Sequence, residues 1–434
     1  MIQPWFEDAK LGIFLHWGIY AEGDGIAGSE DASWPIFNKQ ETVEGYMARR
    51  KNFTASKYDP AAWAEMIENA GAKYAVLTAK HCDGFALWDT AQEHWSAVKH
   101  SPAGRDLVGP FVSALRDRGL RAGLYFSHSD WTHPLYPTIT RDVPHVPLES
   151  SGYRIVYPEP GHDDPALWRK YLAFHRAQLR ELCERYKPDL LWFDADWERD
   201  MDQWQFPDMI AELDRIAPQA VLNDRNLKLG DYTTPEQGIP LKPPNGPWEM
   251  CSTLNDAWGY NPRRGEIKTE QQLIRQFLDV IAMGGNLLLN IGPKLDGSFD
   301  PAMAARVLEL GTFCRDNAQA IYGTRAGIPA THFYGPSTLS KDHKTLYAFV
   351  LGDPRGQIAI KGVKTPVSRA TLVGQPDEPL KFTIVGGATW AGVPGVLWID
   401  TPPCPPGVLA RTVKIEFAST LELYTGEGLA VTQN

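Results

Sequence analysis

Paired cysteines are the first feature that this chain lacks. Its five cysteines are odd in number, scattered, and nowhere spaced as Cys-x-x-Cys; they are Cys82, Cys183, Cys251, Cys314 and Cys404. This arrangement supports neither a zinc ribbon nor a disulfide framework, and it fits a reducing compartment.

The chain also lacks an excess of positive charge. It has 43 lysines and arginines against 53 aspartates and glutamates, a formal net charge of −10. That balance argues against nucleic acid or an anionic membrane as the main partner and favours a neutral ligand or a cation. No apolar run has membrane-spanning length, and the N-terminal residues do not have the pattern that predicts a signal peptide. The sequence as written therefore predicts a cytoplasmic location, or a secreted or periplasmic one if a leader was trimmed; the oligomeric state is left open.

What the chain does contain is a regular alternation of strand and helix signals over its first three-quarters. Helices open at Asp59-Pro60, Asp164-Pro165 and Asp300-Pro301, where aspartate can cap the helix and proline fits its first turn. No Gly-x-Gly-x-x-Gly fingerprint follows the first strand, so a (β/α)8-like barrel is favoured over an open doubly wound sheet. Seven strands can be assigned, at residues 11–16, 74–80, 122–127, 190–194, 220–224, 248–252 and 286–291, and an eighth cannot be placed.

The pattern changes near His332, where short β-branched runs separated by Gly, Pro and Asp begin. This spacing is typical of an antiparallel β-sandwich. We therefore predict a catalytic (β/α)8-like barrel at residues 1–330 and a C-terminal β-sandwich at 331–434. The second domain is expected to support the barrel or to bind carbohydrate.

Tryptophan is abundant, with 15 residues, and one stretch places two of them beside a carboxylate. The apolar run that begins at Leu190 ends in Asp194, which lies between Trp192 and Trp197. A carboxylate at the carboxyl end of a barrel strand, walled by indoles that can stack on a sugar ring, is typical of a glycoside hydrolase nucleophile. Asp196 is a weaker rival. Glu249 beside Trp248 is a candidate general acid, since burial raises a carboxyl pKa.

Polar residues at the other strand ends are predicted to form a ring around the same pocket, because a barrel gathers those ends on one face. The ring comprises His16, Lys80, His81, Ser127, His128, Asn223, Asp224, Arg225 and Asn290, with Asp194 and Glu249. Long connections at residues 17–57, 130–163 and 226–246 are expected to wall the pocket.

Eight motifs in this order resemble the α-L-fucosidases of glycoside hydrolase family 29, over roughly residues 5–325. They are Ala9–Gly18, Ala72–Phe85, Gly123–Ser127, Leu191–Asp194, Asn223–Arg225, Trp248–Cys251, Trp258–Tyr260 and Gly284–Pro293. The resemblance implies an exo-acting, retaining α-L-fucosidase with no metal or cofactor, acting on fucosylated oligosaccharides or glycoconjugates.

The resemblance also implies residue roles. It puts the nucleophile on Asp194 and the acid/base on Glu249, and substrate-binding residues on His16, Trp34, His81, Tyr125, Arg225 and Trp258. In two places the chain departs from the family pattern. Cys82 replaces the second histidine of a Lys-His-His motif, and the acid that precedes Trp34 is left open between Glu30 and Asp31.

Three alternatives remain at this stage. The strand-end acids alone would also suit a retaining glycosidase for another sugar. A metal-dependent barrel hydrolase would want His-x-His on the first strand, where this chain has only Leu15-His16-Trp17. A non-catalytic fucose-binding barrel is the third. The linkage preference depends on the long loops and is not read from the sequence.

Overall fold

The structure is a computed structural model, and it describes residues 3–22, 32–37, 42–136, 164–263, 265–352, 354, 356–405 and 407–426. Helices in these ranges are α1 (Pro4–Ala9), α2 (Trp34–Phe37), α3 (Val43–Ala48), α4 (Pro60–Asn69), α5 (Ala97–His100), α6 (Val108–Asp117), α7 (Pro165–Tyr186), α8 (Met201–Trp204), α9 (Phe206–Ile216), α10 (Glu270–Ala282), α11 (Pro301–Asp316) and α12 (Ala318–Ile321). None of the helices described is long and apolar enough to cross a membrane.

A parallel sheet of seven strands forms the first part of the molecule. Its strands are β1 (Leu11–Leu15), β2 (Tyr74–Lys80), β3 (Arg121–Ser127), β4 (Leu190–Asp194), β5 (Val221–Leu222), β6 (Glu249–Thr253) and β7 (Asn286–Asn290). Their order is β5-β4-β3-β2-β1-β7-β6, so strands that follow each other in sequence lie side by side except β5 and β6, and β1 pairs with both β2 and β7. This is the order of a barrel, with its two free edges at β5 and β6.

The gap between β5 and β6 is filled by a short irregular segment, residues 232–236. Tyr232 forms a parallel bridge with Asn223 beyond β5, while Thr233 and Glu236 form parallel bridges with Trp248 and Cys251. The segment takes the place of the eighth strand that could not be assigned from the sequence. The predicted (β/α)8-like barrel is confirmed in this irregular form.

Side chains alternate between the two faces of the sheet, as the pleat requires. On β4, Leu191 and Phe193 pack outward in the large core between sheet and helices, whereas Leu190 and Trp192 pack inside the barrel. Helix α1 closes the amino end of the barrel with Phe6, whose ring lies 4.3 Å from that of Tyr232. The pocket must therefore open at the carboxyl end.

The predicted helix starts are also confirmed. Asp59, Asp164 and Asp300 each accept hydrogen bonds from backbone N–H groups in the first turn of α4, α7 and α11, and each is followed by proline. Such caps satisfy donors that have no partner within the helix.

Two antiparallel sheets form the C-terminal part. Their strands are β8 (Arg325–Ala326), β9 (Ser337–Leu339), β10 (Thr345–Leu351), β11 (Gln357–Ile360), β12 (Val367–Leu372), β13 (Gln375–Pro379), β14 (Phe382–Val385), β15 (Val396–Asp400) and β16 (Ala410–Phe417). A six-stranded sheet has the order β13-β12-β16-β10-β9-β8, and a three-stranded one has the order β11-β15-β14. The sandwich class is confirmed, while a domain boundary at residue 330 stays a prediction.

Candidate active site

Asp194 is the last residue of β4 and faces the inside of the barrel, in step with Leu190 and Trp192. Its side chain is 15% exposed and lines a pocket of about 660 Å³ at the carboxyl end of the strands. The strand thus delivers one carboxylate to a cavity that solvent can reach.

Two donors hold the Asp194 carboxylate. Nη1 of Arg225 donates to Oδ1 at 2.8 Å, and the Tyr125 hydroxyl donates to Oδ2 at 3.0 Å. Burial by itself would raise the pKa of Asp194, but the Arg225 guanidinium, together with His81 and the Tyr125 hydrogen bond, holds this pKa below its ordinary value. Asp194 is consequently an anion over the whole neutral range, as a nucleophile must be.

Two histidines line the pocket beside Asp194. His16 Nδ1 lies 2.8 Å from Oδ1 of Asn290, whose amide nitrogen donates to the Trp258 carbonyl, so Nδ1 of His16 is the donor and its Nε2 is free to accept. His81 Nδ1 lies 2.6 Å from the Ser33 hydroxyl. Burial lowers the pKa of His16 to about 3 and that of His81 to about 4. Both rings are therefore neutral hydrogen-bonding groups rather than cations.

Aromatic rings form much of the pocket wall. Phe14 and Trp192 lie on its lower side, and Trp258 packs 4.9 Å from the His16 ring. Farther out, the rings of Trp34 and Trp197 stack almost parallel, with an interplanar angle of 5°. Flat apolar walls with a few polar groups suit a sugar, which offers both C–H faces and hydroxyls.

Cys82 also lines the pocket, at the position where the resemblance led us to expect a histidine. Its Sγ lies 3.0 Å from the Ser127 hydroxyl, and the residue is 2% exposed. Burial raises the pKa of this thiol well above its ordinary value, so it remains protonated. A neutral thiol already paired with a hydroxyl has little left to offer a substrate.

Glu236 is a second pocket carboxylate that the sequence analysis did not identify. It ends the irregular segment that completes the barrel, so it reaches the same rim as Asp194. Nη2 of Arg225 donates to its Oε2 at 2.6 Å while Nη1 bonds Asp194, and the Glu236 side chain is 40% exposed. One guanidinium thus holds two carboxylates close together in one pocket.

The prediction that Glu249 shares this pocket is wrong. Glu249 is the first residue of β6 rather than the last, so it lies toward the amino end of the barrel, and it is fully buried. Its carboxylate accepts hydrogen bonds from Tyr74, from Trp192 Nε1 at 3.0 Å, and from Tyr232 at 3.4 Å. Trp192, which lines the pocket, lies between Glu249 and the cavity.

The structure brings the other predicted site residues together. The pocket is lined by His16, Trp34, His81, Tyr125, Asp194, Arg225 and Trp258, and also by Asp196, the rival of Asp194. Glu30 and Asp31 lie outside the described residues. Two residues of the predicted ring, Lys80 and His128, are fully buried and do not line the pocket. They pack against helix α7, where Lys80 contacts Gln178 and His128 contacts His175.

The signal for Glu236 in the sequence was weak. Tyr232-Thr233-Thr234 has the composition of a strand, but Pro235 follows at once. Proline has no N–H to donate to a neighbouring strand, so the sequence argues against a central strand there. Within the described residues, no group of three or more His, Cys, Asp or Glu side chains is placed to hold a metal ion.

An irregular (β/α)8 barrel with two carboxylates in an aromatic-walled pocket at its carboxyl end has the architecture of a barrel glycoside hydrolase. Comparison with known proteins narrows this class. The family model "Alpha-L-fucosidase" matches residues 1–319. The tissue α-L-fucosidase of Rattus norvegicus is 32% identical over 97% of this chain and 90% of its own length.

Solved structures of α-L-fucosidases are similar to this chain over nearly its whole length. The α-L-fucosidase isoenzyme 1 of Paenibacillus thiaminolyticus superimposes with a TM-score of 0.81 at 30% identity, covering 96% of this chain and 98% of that one. The Thermotoga maritima α-fucosidase, in complex with a mechanism-based inhibitor, gives a TM-score of 0.75 at 29% identity over 96% of this chain and 97% of that one. The chain belongs to the α-L-fucosidase family of glycoside hydrolases.

Proposed function

We propose that this protein releases terminal α-L-fucose from fucosylated glycans with retention of configuration, with Asp194 as nucleophile and Glu236 as acid/base. The observation that carries the proposal is the Arg225 guanidinium, which hydrogen-bonds both carboxylates at 2.8 and 2.6 Å. Retaining glycosidases need their two carboxyl groups about 5 to 5.5 Å apart, against about 6.5 to 9.5 Å for inverting ones. Two carboxylates on adjacent nitrogens of one planar group favour the shorter separation.

The first displacement forms a bond from an Asp194 carboxylate oxygen to the anomeric carbon, while the glycosidic C–O bond breaks. Glu236 gives its proton to the departing oxygen, so the aglycone leaves as a neutral alcohol. The low pKa of Asp194 favours this step, because an anion is already in place and needs no base.

In the second displacement a water molecule attacks the anomeric carbon and Glu236 takes its proton. The ester bond to Asp194 breaks and the carboxylate returns to its Arg225 and Tyr125 donors. The exposure of Glu236 allows water to reach it, whereas Asp194 lies deeper. The more exposed acid is therefore suited to handle the leaving group and the incoming water.

The pocket shape favours an exo mode of action. Phe14 and Trp192 close it below, so it accepts the end of a chain rather than its middle. Neutral His16 and His81 are suited to bond the hydroxyls of fucose. Toward the rim, Trp34, Trp197, Leu227 and Lys228 offer a partly aromatic wall against which the leaving part of the glycan can lie.

Product stereochemistry tests the mechanism. With an aryl α-L-fucoside followed by proton NMR, the first-formed L-fucose should be the α anomer, before mutarotation. An activated 2-deoxy-2-fluoro fucoside should slow the second step and leave a fucosyl ester that peptide mapping locates on Asp194. Release of the β anomer would contradict double displacement. Absence of turnover on every fucoside would contradict the proposed activity and favour a non-catalytic fucose-binding protein.

A further inference from the structure

Glu249 is a buried carboxylate that the proposed mechanism does not use. It accepts hydrogen bonds from residues of three other barrel segments: Tyr74 on β2, Trp192 on β4 and Tyr232 on the irregular segment. All three donors are neutral, and burying a carboxyl group is costly unless it is hydrogen-bonded, so these three contacts are what retain Glu249 inside the barrel.

Trp192 connects this buried acid with the pocket. Its indole N–H is donated to Glu249, while the guanidinium carbon of Arg225 lies 4.6 Å above its ring. The Tyr125 ring stacks on the same indole at 5.6 Å with an interplanar angle of 18°. Arg225 and Tyr125 are the two residues that hydrogen-bond Asp194.

We propose that Glu249 is a positioning residue that fixes the Trp192 indole and, through it, the Arg225 and Tyr125 side chains that hold Asp194. This inference rests on the proposed roles of Asp194 and Glu236, but it adds a group that touches neither substrate nor the reacting atoms. The tryptophan N–H can only donate, so removing its acceptor leaves an unpaired polar group inside the barrel. The indole can then satisfy its N–H only by turning away from the plane that supports Arg225 and Tyr125.

The acceptor capacity of the side chain at position 249 should control activity. A glutamate has two acceptor oxygens, a glutamine one, and a methionine of similar length only a weak thioether. We expect Glu249→Gln to lower kcat two- to tenfold and Glu249→Met to lower it more than tenfold, with smaller changes in KM. Tyr232→Phe is the matched control, because it removes another donor to Glu249 without touching Trp192, and its kcat should stay within twofold of wild type.

Two readouts separate positioning from other roles. Losses in the Glu249 variants should be equal for fucosides with good and poor leaving groups, because Glu249 moves no proton in the reaction. In a Trp192→Phe background, which has no indole N–H, Glu249→Met should change kcat less than threefold. Circular dichroism and melting temperature establish that each variant is folded.

Several results would overturn the inference. They are a folded Glu249→Met with wild-type kcat, a loss that depends on the leaving group, or full additivity with Trp192→Phe. If Glu249→Met does not fold, Glu249→Gln decides the question, and a kcat equal to that of Tyr232→Phe contradicts the proposal. Asp194→Ala and Glu236→Ala test the proposed function separately, since neither alters the groups around Glu249.

Discussion

The two ends of the barrel treat a carboxylate in opposite ways. At the open end, Asp194 is paired with Arg225 and has a pKa below its ordinary value. At the closed end, Glu249 is surrounded by neutral donors, and burial raises its pKa to about 7. The same indole, Trp192, contacts the groups on both sides. Proximity to tryptophan therefore does not decide the role of an acid, whereas the nearest cation and the end of the strand do.

The largest effect is expected at the open end. Asp194→Ala should lower kcat by more than about 1,000-fold, because it removes the group that forms the covalent intermediate. Steady-state kinetics on an aryl fucoside measure this loss. Azide should partly restore turnover and give the β-fucosyl azide, the product of a single inversion.

Asp196→Ala is the matched comparison for Asp194→Ala, since Asp196 lines the same pocket and accepts a hydrogen bond from the Leu227 backbone N–H at 2.6 Å. The decrease in kcat should be much smaller for Asp196→Ala than for Asp194→Ala. If Asp196→Ala were the dead variant and Asp194→Ala retained activity, the nucleophile would be Asp196.

The second-largest loss of activity is expected for Glu236→Ala. A missing acid/base is worth about 100-fold or more on natural fucosides, and much less on substrates whose leaving group departs unaided. Azide should intercept the fucosyl ester and give the α-fucosyl azide, because two inversions restore the configuration. Equal losses on both kinds of substrate, without rescue, would move the acid/base elsewhere.

Cys82 sharpens the comparison in another way, since it lies at the open end but carries no charge. Its thiol is protonated and paired with Ser127. We expect Cys82→Ala to change kcat/KM by less than about tenfold, or about 1.4 kcal/mol. Ser127→Ala is a suitable control for loss of the same contact. A hundredfold loss in Cys82→Ala alone would assign the thiol a function of its own.

The smallest effect concerns stability at the closed end. In the unfolded chain Glu249 titrates at about 4.3, whereas in the folded protein it keeps its proton up to a pKa of about 7. The folded state binds more protons between these values, so this group's contribution to stability is full below the lower value and lost as pH rises through the upper one. Relative to Glu249→Gln, which does not titrate, the melting temperature of wild type should fall between pH 5 and 7.5.

The comparison with Glu249→Gln cancels the titration of other groups, including those that face Trp192 from the pocket. A gap between the two melting temperatures that stays constant over this range would show that Glu249 is ionised throughout. The hydrogen bonds from Tyr74, Trp192 and Tyr232, which favour the ionised form of Glu249, would then outweigh the effect of burial on its pKa.

Much of the barrel could be predicted from the sequence. The predicted strands Leu190–Asp194 and Tyr74–Lys80 have the same first and last residues as the observed strands, and the Asp-Pro helix starts are correct. These signals are local: an apolar run bounded by polar residues, and a cap next to a proline. The irregular segment was missed, because its pairing consists of isolated bridges to neighbours on both sides rather than a ladder that leaves a regular pattern.

The sequence by itself determined the class of fold, the family resemblance, and the strand ends that carry His16, His81 and Asp194. Each of these follows from contiguous residues or from the period of hydrophobic side chains. Only the tertiary structure placed Glu236, and not Glu249, in the pocket with Asp194, although both acids lie near the same strand. The reason is that a residue's height along the barrel depends on the register of β6 against its neighbours, which places Glu249 opposite Asn286 at the closed end and leaves Glu236 beside Arg225 at the open one.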